Sequence, residues 1–216
     1  VPNFNKVYID PNIYYVDDFL SEEEISTILG STIEWLKIDN TGNSADKFNS
    51  YDLGDLVESG VARRFTGIIK SEEEFWWNVI VKRFRELLDN ENEKYNGVPY
   101  ITKYLPEGEW ALYYHYENHP DCGLIGQHTT KGFSLGLNSG WTGGEIHFKH
   151  KDITFTVKPG QIVVFPASEE YTHAVLKSRG SERIVHSGFV YSNDLYTSEY
   201  APAIWPGDYL NLGDKK

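Results

Sequence analysis

At 216 residues, 40% of them hydrophobic and 15% aromatic, the chain is a little long for one average domain, short for two, and well able to bury a core. Its formal net charge of −12, without any Lys/Arg cluster, argues against a tight, sequence-blind nucleic-acid partner, which needs a basic surface to neutralise phosphates. No apolar run approaches the roughly 20 residues that span a bilayer, so no membrane segment is expected.

Val7, Ile9 and Ile13 to Val16 favour strands. Ser21 followed by Glu24 has the spacing of a capping box, and Ile25, Ile28, Leu29 and Ile33 recur at helical intervals after it. Residues 38–60, rich in Asn, Asp, Gly and Ser, read as a long surface loop of the kind that often covers a site. A second capping box at Ser71 and Glu74 opens a helix with Trp76, Ile80, Phe84, Leu87 and Leu88 on its apolar side.

From Val98 the texture changes to short β-rich stretches at 98–104, 110–117, 132–138, 144–149, 152–157, 161–166, 171–176 and 183–191. Gly143-Gly144, Lys158-Pro159-Gly160 and Ser178-Arg179-Gly180-Ser181 read as the turns between them. Eight such strands indicate a β-sandwich, jelly roll or barrel. The chain is expected to be a single domain: helical support over 1–97, a mainly β core over 98–192 and an irregular tail over 193–216.

His115, Tyr116 and Glu117 close one predicted strand, and residues two apart on a strand face the same side. His173 lies on a later strand. Two His and one carboxylate on one face of a metal form the facial triad of non-haem Fe(II) oxygenases, which leaves three positions for a chelating co-substrate and O₂. Taken alone, His-x-Glu is a weak signal in a chain with seven His. It gains force from Arg183, ten residues after His173 and beyond a Gly-containing turn, where a guanidinium can clamp a carboxylate through two bonds.

These segments resemble the 2-oxoglutarate/Fe(II) oxygenases, particularly the prolyl and lysyl hydroxylase branch. The Tyr15-Val16-Asp17-Asp18-Phe19-Leu20-Ser21 entry, Leu137-Asn138, Trp141-Thr142-Gly143-Gly144-Glu145-Ile146-His147-Phe148 and the Pro159-Gly160-Gln161 to Phe165-Pro166 segment are similar to that branch in the same order. The resemblance implies a double-stranded β-helix, a cupin-like jelly roll carried by N-terminal helices. It further implies Fe(II) held by His115, Glu117 and His173, and 2-oxoglutarate paired through its far carboxylate with Arg183 and hydrogen-bonded by Tyr104, with ascorbate as an accessory reductant. The expected reaction is hydroxylation of a C–H bond with release of succinate and CO₂, on a peptidyl prolyl or lysyl group or an amino-acid side chain, with another small molecule or a nucleobase as alternatives. The family's usual motif is His-x-Asp, and the Glu at 117 departs from it. Arg183 likewise stands where animal collagen prolyl hydroxylases commonly have Lys.

His119-Pro120-Asp121 offers a competing His-x-Asp pair just downstream. Two other readings also stay open: a cupin-like metal enzyme without 2-oxoglutarate, and a non-catalytic jelly-roll binding module. His128, His147, His150 and His186 read as surface or hydrogen-bonded residues, although His147 and His186 lie where a cavity wall is possible. Tyr113, Tyr114, Trp141 and Tyr171 are expected to supply a substrate wall. A single cysteine, Cys122, permits no intrachain disulfide, which with no export signal makes a cytoplasmic location the default expectation. The start at Val1 and the absence of Met suggest that the chain begins inside the encoded one.

Overall fold

The computed structural model of the protein describes residues 4–37, 64–95, 97, 99–106, 112–119 and 123–194. The loop expected over 38–60 and nearly all of the expected tail lie outside these residues. The architecture is mainly β: two facing antiparallel sheets with helices on the outer side of the larger one, the jelly-roll arrangement expected. The larger sheet runs β1 (Val7–Asp10), β2 (Ile13–Val16), β12 (Ile162–Pro166), β8 (Thr129–Gly136), β15 (Arg183–Ser192), β6 (Tyr100–Tyr104), β4 (Arg64–Ile69) and β3 (Ile33–Lys37). β5 (Glu93–Tyr95) pairs with the far end of β15. The smaller sheet runs β11 (Ile153–Phe155), β10 (Ile146–Phe148), β13 (His173–Val175) and β7 (Leu112–His115).

All eight strands expected after Val98 are present with shifted ends. The segment before residue 98 supplies five strands as well as helices, so it completes the large sheet rather than only supporting it. Ser178–Gly180, expected as a turn, is strand β14 paired with β9 (Trp141–Gly143). The turn at Gly160 is as expected. Its φ of +75 suits glycine, and an added Cβ would stand 2.6 Å from the Leu20 carbonyl oxygen.

Helix α1 (Glu22–Gly30) begins at Ser21 with both halves of its capping box made: Glu24 N–H donates to Ser21 Oγ at 3.2 Å, and Ser21 N–H donates to Glu24 Oε2 at 2.8 Å. Ile33, expected on this helix, instead opens β3, because Ser31 is already extended. Helix α2 runs through Glu73–Phe75, a π-helical stretch Trp76–Val81, and Lys82–Leu88. The capping box expected at Ser71 and Glu74 does not form. Glu72 is left-handed there, and Ser71 Oγ accepts the Thr32 amide at 2.9 Å, tying the start of α2 to the segment before β3. Trp76, Ile80, Phe84, Leu87 and Leu88 are buried, as their spacing requires.

Residues paired across antiparallel strands point to the same face. Val163 and Phe165, packed between the sheets, pair with Ser134 and Gly132 of β8, which pair in turn with Ser187 and Phe189 of β15. Val185 pairs with Gly136 and Thr102, and Arg183 with Tyr104. The inner face of the large sheet therefore carries Val163, Phe165, Val185, Phe189, Tyr104 and Arg183, with the small or polar Thr102, Gly132, Ser134, Gly136 and Ser187 among them. One step along the strands, Phe133, Leu135 and Val190 point outward and form the core against α1 and α2.

Candidate functional site

β13 and β7 pair with His173 directly opposite His115, and the two imidazole rings lie 4.5 Å apart. Glu117 is not on the strand, as expected, but in the turn after β7, which ends at His115. The turn nevertheless brings its carboxylate to the histidines: Oε1 is 3.3 Å from His173 Nε2 and 3.6 Å from His115 Nε2. Among the described residues these three form the group able to hold a metal ion, with ligand atoms within 4.8 Å of one another.

The donor set suits a divalent transition metal. His173 Nδ1 lies 3.0 Å from the Tyr171 carbonyl oxygen, a contact in which the ring donates and leaves the Nε2 lone pair for a cation. Glu117, only 8% exposed, has Oε2 buried without a hydrogen-bond partner among the described residues. Burial pushes the Glu117 carboxyl up, but the charges of His173 and His115 outweigh it and hold the group below the usual carboxylate range. Burial likewise disfavours charge on His173, yet the Glu117 carboxylate and the Tyr171 carbonyl win and raise it.

Arg183 opens β15 on the inner face and is 1% exposed. Its guanidinium carbon lies 5.3 Å from the ring centre of Tyr104 and 5.4 Å from that of Trp141. Nε, Nη1 and Nη2 are all buried and have no well-aligned hydrogen bond among the described residues. Burial lowers the pKa of the group, although an arginine stays charged in a protein. The Tyr104 hydroxyl and the Glu145 carboxylate favour the charge from nearby, but among the described residues no carboxylate forms an ion pair with the guanidinium, and a buried cation so placed can accept an anionic group. Gly144 makes the space for this side chain: at φ +68 its Cβ position lies 2.9 Å from Arg183 Cδ.

The histidines read as surface or hydrogen-bonded residues are so, and His147 and His186, for which a cavity wall is the alternative, face away from the triad. His147 is one step from Phe148, which pairs with His173, and it bonds the Tyr114 hydroxyl through Nδ1 at 2.6 Å. His186 is three residues from Arg183, hence on the other face of β15, with Nε2 bonded to Tyr95 Oη at 2.8 Å and Nδ1 to the Tyr100 carbonyl at 2.6 Å. His128 bonds Ser192 Oγ at 3.0 Å, and His150 is exposed. Of the expected substrate wall, Tyr114 lies on the side away from His115, and Tyr171 is buried with its hydroxyl accepting from Asn12 Nδ2 at 2.8 Å. Trp141 stands at Arg183 instead, and nothing is described of the Tyr113 side chain. His119 stacks edge-on against Tyr116, with ring centres 4.9 Å apart; Asp121, its partner in the competing pair, and Cys122 lie outside the described residues. Sequence reasoning missed the part played by Asn138, whose side chain bonds the backbone on both sides of Arg183.

No protein-family model matches the sequence, and no curated protein matches it. Among solved structures, a viral collagen prolyl hydroxylase from Paramecium bursaria Chlorella virus-1 is similar with a TM-score of 0.52 and 16% identity, over 88% of this chain and 95% of that one. A prolyl-4-hydroxylase of Pseudomonas putida has 16% identity over 83% of this chain and 92% of its own, at a TM-score of 0.43. An oxidoreductase of the 2OG-Fe(II) oxygenase family from Burkholderia pseudomallei has 13% identity over 70% and 92%, at 0.42. The chain shares its jelly-roll fold with the viral collagen prolyl hydroxylase. Among the described residues, no helix is long and apolar enough to cross a membrane.

Proposed function

We propose that the protein is an Fe(II)- and 2-oxoglutarate-dependent dioxygenase that hydroxylates a C–H bond of a peptidyl prolyl or lysyl group or of an amino-acid side chain. The observation that carries this reading is the buried guanidinium of Arg183, without an ion pair among the described residues, on the inner face of the same jelly roll that joins His115, Glu117 and His173. A plain binding module gives no reason for the triad and that cation to occur together.

In this reading His115, Glu117 and His173 hold the iron, Arg183 pairs with the far carboxylate of 2-oxoglutarate, and the Tyr104 hydroxyl donates beside it. With both groups bound, the site supplies oxidative decarboxylation: one oxygen atom of O₂ enters succinate, CO₂ leaves, and the other oxygen converts C–H to C–OH. The protein's own residues bind, orient and keep the site dry. The Tyr171 carbonyl fixes the His173 tautomer. Phe165 and Phe148 stand 4.5 and 5.6 Å from the His173 ring, an apolar wall against water.

The substrate class rests on the likeness in fold to a prolyl hydroxylase that bears collagen in its name. The test is succinate release with Fe(II), 2-oxoglutarate and ascorbate against proline-rich peptides, lysine-containing peptides and free amino acids. One class should stimulate release and gain one oxygen atom by mass. Release that never depends on Fe(II) or 2-oxoglutarate contradicts the proposal.

A further inference from the structure

Asn138, just past the end of β8, reaches across to the strand that carries Arg183. Its Nδ2 donates to the Glu182 carbonyl at 2.7 Å, and its Oδ1 accepts from the Ile184 amide at 2.7 Å. One side chain thus grips the backbone immediately before and after Arg183. A planar amide is suited to this, because it offers a donor and an acceptor side by side; a carboxylate has no donor and a serine is too short to span both. The Asn138 carbonyl and Oδ1 also accept from Trp141 Nε1, at 3.1 and 3.2 Å. That bond holds the indole against the guanidinium.

Arg183 has no well-aligned hydrogen bond among the described residues, and Tyr104 and Glu145 favour its charge from nearby. Its direction is therefore set by its backbone and by the rings of Tyr104 and Trp141. Asn138 controls the first and, through Trp141, part of the second.

We infer that Asn138 is a positioning residue for the anion site: it fixes the backbone and the aromatic plate that aim Arg183 at a dicarboxylate. The inference rests on the reading of Arg183 as the partner of the 2-oxoglutarate far carboxylate. A merely structural staple would protect the fold without selectively changing affinity for the dicarboxylate.

The experiment is calorimetric titration of the Mn(II)-loaded protein with 2-oxoglutarate, alongside separate Mn(II) titrations and thermal unfolding. The proteins are wild type, Asn138→Ala, Arg183→Ala and the double variant. Asn138→Ala should weaken 2-oxoglutarate about fivefold or more, the scale of one or two lost hydrogen bonds, and leave Mn(II) affinity within about twofold. In the Arg183→Ala background the same change should add no further loss, because both act on one interaction. Unchanged 2-oxoglutarate affinity in Asn138→Ala, with a clear loss in Arg183→Ala, overturns the positioning role alone. A wild type that binds no 2-oxoglutarate, or an Arg183→Ala variant that binds it as well as wild type, overturns the reading of Arg183 and the inference with it. Should Asn138→Ala fail to fold, Trp141→Phe decides, since it keeps a ring and loses only the link to Asn138. Weaker 2-oxoglutarate binding at constant Mn(II) affinity supports the inference, and unchanged binding overturns it.

Discussion

Glu117 Oε1 stands 3.3 Å from His173 Nε2, although the two residues come from a turn and a strand far apart in the chain. The pairing of β13 with β7 creates the contact by setting His173 opposite His115, two residues before that turn. Three donors are thereby held together by backbone hydrogen bonds, whether or not a cation lies between them.

Removing the carboxylate should therefore remove the metal. Glu117→Ala is expected to weaken Mn(II) or Fe(II) binding by more than about a hundredfold, since changes to groups that merely support ligands already cost 10–100-fold. Anaerobic calorimetry measures this. His119→Ala should bind metal like wild type, and loss of binding in that variant would move the site to the competing His119/Asp121 pair.

Arg183 should behave oppositely in stability and in binding. Its guanidinium is buried with no well-aligned hydrogen bond among the described residues, so an apolar residue of similar length should relieve a desolvation cost. Arg183→Met is expected to unfold at an equal or higher temperature than wild type without co-substrate. It should also lose the stabilisation that 2-oxoglutarate gives wild type, and need roughly tenfold more of it, as one charge-assisted bond contributes about 1.5–3 kcal/mol. Thermal scans with and without 2-oxoglutarate report both effects. A variant much less stable than wild type when both lack co-substrate would make Arg183 a structural residue.

Gly132 on β8 tests how tightly the metal site is packed. A Cβ there would lie 2.5 Å from Phe165 Cε2 and 3.3 Å from Glu117 Oε1, and the Phe165 ring already rests edge-on against His173. Gly132→Ala should cost about 1–3 kcal/mol of stability and weaken metal binding. Adding Phe165→Leu, which trims the clashing ring, should recover part of both. Unfolding curves and metal titrations of the single and double variants check this.

Much of this was readable in the residues, and the failures have physical causes. The strands after Val98 announce themselves by β-rich runs between turn residues. The candidate ligands and Arg183 stand out by their spacing and by the resemblance, and the structure brings His115, Glu117 and His173 together. Strand alternation also held the answer for His186: three residues from Arg183, it must face the opposite side. Ile33 misled because it continues a helical interval by chance, after the chain has turned into β3. Ser71 looked like a cap, yet its hydroxyl is taken by the Thr32 amide from a distant segment. The same holds for Asn138 and the small residues on the inner face of the large sheet. Both depend on which strands become neighbours, which local pattern does not encode.

His186 makes stability depend on pH. Burial pushes its pKa down to about 4, against about 6.5 in an unfolded chain. Between those values the unfolded state binds more protons, so stability rises with pH there. This contribution is complete above about pH 6.5 and is lost as pH falls through about 4, amounting to about 3 kcal/mol. His186→Gln, which cannot titrate, should show a shallower loss over that window in denaturant melts at pH 7, 5.5 and 4. Equal slopes in both proteins would show that the imidazole is charged or hydrated in the fold.

The most direct measurement is an anaerobic titration of the Fe(II)-loaded protein with 2-oxoglutarate, followed by visible absorption. The expected result is a weak charge-transfer band in wild type, no band in Glu117→Ala, and a band in Arg183→Met that needs about tenfold more 2-oxoglutarate. No band in wild type, or a band unaffected by either substitution, would contradict an iron held by His115, Glu117 and His173 with its dicarboxylate anchored on Arg183.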